Sequence, residues 1–121
     1  MVFLELRRDS RVSSDQGKTW TIKDKVITSP YSTTRGDTAA FPNQTYYYGD
    51  GDQRLLVDTA SGYFYVYYGS RVVNKTGGWG GFMEHVARAP ISQKMAPGSW
   101  QKYFEGQWQT PGLGGKARRW R

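Results

Sequence analysis

Bulky apolar and polar positions alternate with a period of two through much of this chain, the signature of β-strands whose successive side chains point to opposite faces. The pattern is clearest at 63–68, where Tyr63, Tyr65 and Tyr67 share one face and Phe64, Val66 and Tyr68 share the other. Both faces are bulky, which predicts a sheet packed on two sides. The apolar run Leu55, Leu56, Val57 predicts a shorter strand, the more buried of the two, joined to 63–68 through the turn Asp58-Thr-Ala-Ser-Gly62. Ahead of it, Gly49-Asp50-Gly51-Asp52 reads as an acidic turn at the mouth of this pair. Further strands are predicted at 2–8, where Val2, Leu4 and Leu6 share a face, and at 19–28, 82–89 and 100–104, with a short one at 46–48. No window carries the period of a long amphipathic helix.

Between the strands lie two telling segments. Residues 29–43, rich in Ser, Thr, Pro, Gly and Asp, predict a long connecting loop, and its Arg35-Gly36-Asp37 is read as loop composition; the glycosylation sequons at Asn43 and Asn74 matter only in a secretory compartment that glycosylates. The stretch Ser13-Ser14-Asp15-Gln16-Gly17-Lys18-Thr19-Trp20 fits the Asp-box pattern, Ser-x-Asp-x-Gly-x-Thr-Trp, at every defined position. Ser13 and Asp15 can hydrogen-bond within the turn, Gly17 permits positive φ, and Trp20 packs where the next strand begins. In the sialidases and other propellers that it resembles, the box joins the two outer strands of a blade, away from the active site. Asp15 is therefore expected to be structural.

Composition narrows the function classes. The 121 residues contain no Cys, which excludes a disulfide framework and a thiolate metal site; the single His85 leaves no basis for a zinc site either. Nine Tyr, five Trp and fifteen Gly suit a β-rich protein with many tight turns. The net charge is +7, but four of the seventeen basic residues fall in the last six positions and the rest are scattered among acids, which argues against a nucleic-acid partner. No run is long enough to span a bilayer, and no basic leader precedes an apolar segment, so neither a membrane partner nor an export signal is expected.

The run Gly51-Asp52-Gln-Arg-Leu-Leu-Val57-Asp58, followed by Gly62-Tyr-Phe-Tyr-Val-Tyr-Tyr68, resembles the blade pattern of five-bladed propeller glycosidases of the arabinanase and β-xylosidase type. Val86-Ala-Arg88-Ala-Pro-Ile91 ahead of Pro97-Gly-Ser-Trp100 is similar to a later segment of the same blades. The resemblance covers about residues 50–104. It departs from the family at Gln53, where Pro usually follows the Asp. It implies an all-β chain, a partial β-propeller: an outer half-blade with the Asp-box at 1–28, a connecting loop at 29–52, one antiparallel four-stranded blade at 53–104, and a tail at 105–121. A blade takes about forty to fifty residues and a closed ring at least four blades, so the expectation is a fragment of a larger secreted or periplasmic enzyme, with exposed strand edges open to self-association.

The function implied is acid/base hydrolysis of a glycosidic bond in the complete protein, with a carbohydrate as partner and no cofactor or metal. Such chemistry needs two carboxyl groups flanking the scissile bond. By resemblance Asp52 matches the Asp that orients the general acid; Asp50 is its neighbouring substitute. Glu84 is the candidate acid, since Phe82 and Met83 can shield it. Tyr48 and Trp79, the latter in the loop Thr76-Gly-Gly-Trp79-Gly-Gly81, are candidates for stacking on sugar rings. Each has an ordinary alternative: Asp52 forms a turn, Glu84 is a solvated strand residue, and the rings pack the blade. The competing function is a non-catalytic Asp-box propeller module that binds carbohydrate or protein.

Overall fold

A computed structural model describes residues 2–4, 9–32, 39, 44–74 and 78–117; at 2–4, 9, 44–49, 72–74 and 79–80 it describes the backbone alone. The described chain is all-β and antiparallel, without an α-helix. Strands β1 (Val2–Leu4), β2 (Asp9–Val12) and β3 (Thr21–Lys25) form one sheet in the order β1-β2-β3. Strands β4 (Gln44–Asp58), β5 (Tyr63–Asn74), β6 (Trp79–Pro90), β7 (Gln101–Phe104) and β8 (Gln107–Pro111) form the other, in simple sequential order. A 3-10 turn at Ile91–Gln93 follows β6.

Each sheet has one strand more than the alternation predicts. In the first, the strand that enters the 13–20 turn is Asp9–Val12, whose polar sequence carries no apolar period, and Val2–Leu4 pairs outside it. In the second, β8 lies in the stretch expected to be a tail. The β7–β8 link is Glu105-Gly106, both with positive φ (50° and 85°), which suits a two-residue hairpin whose backbone twist matches that of the strands.

The acidic turn at 49–52 is also corrected. Strand β4 runs unbroken from Gln44, so the connecting loop ends well before residue 52, and Gly49, Asp50 and Gly51 pair with Arg71, Ser70 and Gly69. What the sequence offers as a turn is a bulge. Asp52 and Gln53 stand where one residue would, between the pairs Gly51–Gly69 and Arg54–Tyr67, and Asp52 takes φ 54°. Asp tolerates this left-handed conformation better than most residues, and a single extra residue is absorbed without ending the ladder.

The alternation in β5 holds. Val66, Tyr68 and Ser70 are buried on the inner face, while Tyr67 on the outer face is 46% exposed. The expectation for 55–57 does not hold: Leu55, Leu56 and Val57 are 42–51% exposed. Among the described residues β4 is an edge strand, so its side chains have strand neighbours on only one flank. The core forms elsewhere, from Val26 and Ile27 just after β3 together with Val66, Tyr68, Ala87, Ala89, Met95 and Trp100. Burial of a large apolar side chain of this kind contributes roughly 1.5–3 kcal/mol.

Main-chain bonds seal this core. Thr28 N–H donates to Gly112 O at 3.0 Å and Gly112 N–H donates to Trp100 O at 2.9 Å. Gly114 N–H donates to Thr28 Oγ1 at 2.7 Å. The segment after β8 is thereby fastened both to the segment after β3 and to Trp100.

The 13–20 turn is held by its own side chains. Asp15 Oδ1 accepts from Ser13 Oγ at 2.7 Å and from Thr19 N–H at 2.9 Å, and Asp15 Oδ2 accepts from Thr19 Oγ1 at 2.5 Å. Gly17, at φ 86°, donates its N–H to Ser13 Oγ at 2.8 Å, and Trp20 Nε1–H reaches Gly17 O at 3.1 Å. The Thr19 hydroxyl, then the Thr19 N–H, then the Ser13 hydroxyl hold the Asp15 carboxyl down from 3.8 to about 2. Because the folded value is the lower one, this contribution to stability is present above the unfolded value and is lost as pH falls through about 2. Asp15→Ala is expected to lower the melting temperature by several degrees while leaving ligand binding intact. An unchanged melting curve with binding abolished would show that Asp15 acts in a site and not in the turn.

Candidate functional site

The inner face of the five-stranded sheet carries a polar cluster beside the core. Residues directly opposite in an antiparallel ladder point to the same side. Asp50 faces Ser70, Ser70 faces Met83, and Tyr68 faces His85, so these five side chains share the inner face. Lys102 joins them from β7 through its pairing with Ala87. Pro30 and Tyr31 from the segment after β3, and Ala117 after β8, complete the lining of a partly open cavity of about 130 Å³.

Its polar groups are organised. Ser70 Oγ and His85 Nε2 lie 2.7 Å apart, with Ser70 and His85 only 1% and 6% exposed. The His85 ring is tilted against Tyr68, centroids 5.2 Å apart. Lys102 is fully buried, and its Nζ donates to Thr28 O and Gly115 O, both at 2.7 Å. These two bonds offset part of the cost of taking an ammonium out of water. They also tie the cavity wall to the segments that fasten the core.

The three acids of the sequence reading are not brought together. Asp50 lines the cavity. Asp52 is 67% exposed and ion-paired with Arg71, whose guanidinium lies over the Phe82 ring on the outer face. Glu84 is exposed opposite Gly69, also on the outer face. The bulge separates the first two. Trp79 opens β6 and does not sit in a loop; its side chain and that of Tyr48 lie outside the described residues, as do residues 35–37 of the tripeptide.

Sequence alone gives Ser70 and Lys102 no mark of a site, and His85 only that of a lone histidine without metal-ligand partners. The i, i+2 spacing of Tyr68 with Ser70 and of Met83 with His85 places each pair on one face, but only the register of β5 on β6 puts all four on the same face. A Ser–His pair within hydrogen-bond reach is the start of a nucleophile–base arrangement. Ser70 is buried in mid-strand and, with His85, lines the cavity, so the pair presents a fixed donor–acceptor unit in its wall. Among the described residues no three His, Cys, Asp or Glu side chains converge to hold a metal ion.

No family model, curated protein or solved structure matches the chain. The cavity presents one carboxylate, one hydroxyl–imidazole unit, one ammonium and the rings of Tyr31 and Tyr68. That combination suits a small polar ring-shaped ligand: a cavity of about 150 Å³ takes up one benzene-sized molecule, and a few placed polar groups in an aromatic setting fix orientation.

Proposed function

We propose that this chain is a carbohydrate-recognising segment of a glycosidase-type β-propeller, with the five-stranded sheet as its blade and Asp50 as the carboxylate of the sugar site. The observation that carries the reading is the convergence of Asp50, the Ser70–His85 pair and Lys102 in one ring-sized cavity. A sugar presents vicinal hydroxyls that donate and accept at once; a carboxylate, an imidazole–hydroxyl unit and an ammonium answer both needs. The sequential antiparallel order of β4 to β8 and the side-chain-bonded turn at 13–20 support the blade arrangement, and the open flank of β4 suits a strand that lines a central channel or pairs with a further strand.

Hydrolysis by acid and base takes two carboxyls about 5–10 Å apart. Asp52 and Glu84 lie on the face opposite Asp50, so turnover in the glycosidase reading draws its second carboxyl from a further element. This favours binding over turnover for the residues described here, which is the non-catalytic alternative. In an NMR titration with arabino-, xylo- and galacto-oligosaccharides, one of the series is expected to shift the amides of Ser70, His85 and Lys102. Asp50→Asn should weaken that binding about tenfold, equivalent to about 1.4 kcal/mol, with the melting temperature retained. Aryl arabinosides, xylosides, galactosides and sialosides should show no turnover above the Asp50→Asn control. Shifts confined to other regions would sink the site; turnover that Asp50→Asn abolishes would mean that the chain completes an active site.

A further inference from the structure

The outer face of the same sheet holds a second cluster, around Arg88. Its guanidinium carbon lies 4.2 Å from the centroid of the Tyr63 ring and 4.5 Å from that of Trp108. Trp108 in turn meets Tyr65 at 5.8 Å and Tyr103 at 5.1 Å, and Tyr63 meets Tyr65 at 6.1 Å. All five side chains are half-buried. The arrangement follows from register: Tyr65 is opposite Arg88, Arg88 is opposite Gln101, and Tyr103 is opposite Trp108.

Arg88 has no counter-charge among the described residues. Arg71 on the same face is paired with Asp52. Arg88 contacts only rings; no carboxylate or hydrogen-bond acceptor meets it among the described residues, and its buried Nε has no partner. A guanidinium is a planar fork matched to a carboxylate, and ring faces hold it in orientation without consuming its donors. Tyr63, the ring beneath it, is also a wall of an open hollow of about 510 Å³ at the end of the sheet, lined further by Pro90, Gln93, Ser99 and Gln101.

We infer that an acidic sugar, a uronic-acid unit of an oligosaccharide, binds at the rim of this hollow, with its ring against Tyr63 and its carboxylate on Arg88, which stands beside the hollow next to Tyr63 and Gln101 and is not part of its lining. Gln93, Ser99 and Gln101 supply donors and acceptors for the hydroxyls. The inference rests on the carbohydrate reading above but uses a different site, charge and face of the sheet.

The test is titration of the full chain with trigalacturonic acid, with its methyl ester, and with the neutral oligosaccharides used for the Asp50 cavity, read by NMR at Tyr63, Arg88 and Trp108. The acid is expected to shift these residues and to bind at least tenfold more tightly than the ester. Arg88→Gln should abolish the difference between acid and ester while leaving the shifts at Ser70 and His85 with neutral sugar in place. Equal affinity for acid and ester on the unmodified chain overturns the inference, and it does so whether or not Arg88→Gln folds. Binding of neutral sugar at the cavity with no response at Arg88 removes this site and leaves the first reading standing; loss of the cavity response alone removes the first and leaves this one.

Discussion

Gly112→Ala is expected to destabilise the protein by about 3 kcal/mol, at the upper end of the cost of overpacking a closed core. A Cβ at position 112 would run into Val26 O and lie 2.7 Å from Trp100 Cβ. The first is a main-chain atom and the second is attached directly to one, so neither can swing away as the end of a flexible side chain would. Moving residue 112 is no remedy, because its N–H and its C=O are both committed, to Trp100 O and from Thr28 N–H. Gly51 supplies the control: an added Cβ there meets nothing within 4 Å, and Gly51→Ala should stay within about 0.5 kcal/mol of the parent. Urea denaturation of the two variants decides the matter. A Gly112→Ala protein with an unchanged midpoint would mean that the 111–115 segment does not close the core in solution.

Lys102→Met is expected to cost about 2–4 kcal/mol, by leaving the carbonyls of Thr28 and Gly115 without their donor. Met keeps the length of the lysine stem and removes only the ammonium, so packing along β7 is retained. Two terms compete. Removing a buried charge relieves desolvation, and in some proteins that alone makes such a replacement neutral or stabilising. Here the ammonium bonds two main-chain oxygens at 2.7 Å, one of them 74 positions away in sequence, and the oxygens remain after the substitution. The loss of two charge-assisted bonds outweighs the relief. The midpoint of unfolding and the hydrogen exchange of the Thr28 amide, whose acceptor Gly112 O lies in the fastened segment, are the measurements. A protein as stable as the parent, with Thr28 still protected, would show that main-chain bonds alone join the two segments.

Much of the fold can be read from residues close in sequence. The alternation in 63–68 places Val66 and Tyr68 inside and Tyr67 outside, and the strands expected at 63–69, 82–89 and 100–104 are present within β5, β6 and β7, the last beginning at Gln101. The 13–20 turn is legible down to its bonds, since Ser13, Asp15, Gly17 and Thr19 meet one another within a few residues. Strand β8 escaped because Glu105-Gly106 is an uncommon form of the hairpin signal, and β4 was cut short because two glycines and two aspartates resemble a turn when no pairing partner is in view.

The candidate site divides along the same line. By itself the sequence determined the strand period and the local turn chemistry, because each depends on neighbours a few positions away; Asp50 and Asp52 are candidate acids only by resemblance. Only the tertiary structure decided which of those acids faces the cavity. One extra residue in a strand reverses the side to which every later side chain points, and the bulge at Asp52 and Gln53 comes from how β4 lies along β5, not from either residue's preference. The meeting of Ser70, His85 and Lys102, and of Arg88 with Tyr63 and Trp108, has the same origin: register across the four strands β5 to β8 brings together residues that the chain keeps 15 to 45 positions apart, by the numbering of the sequence.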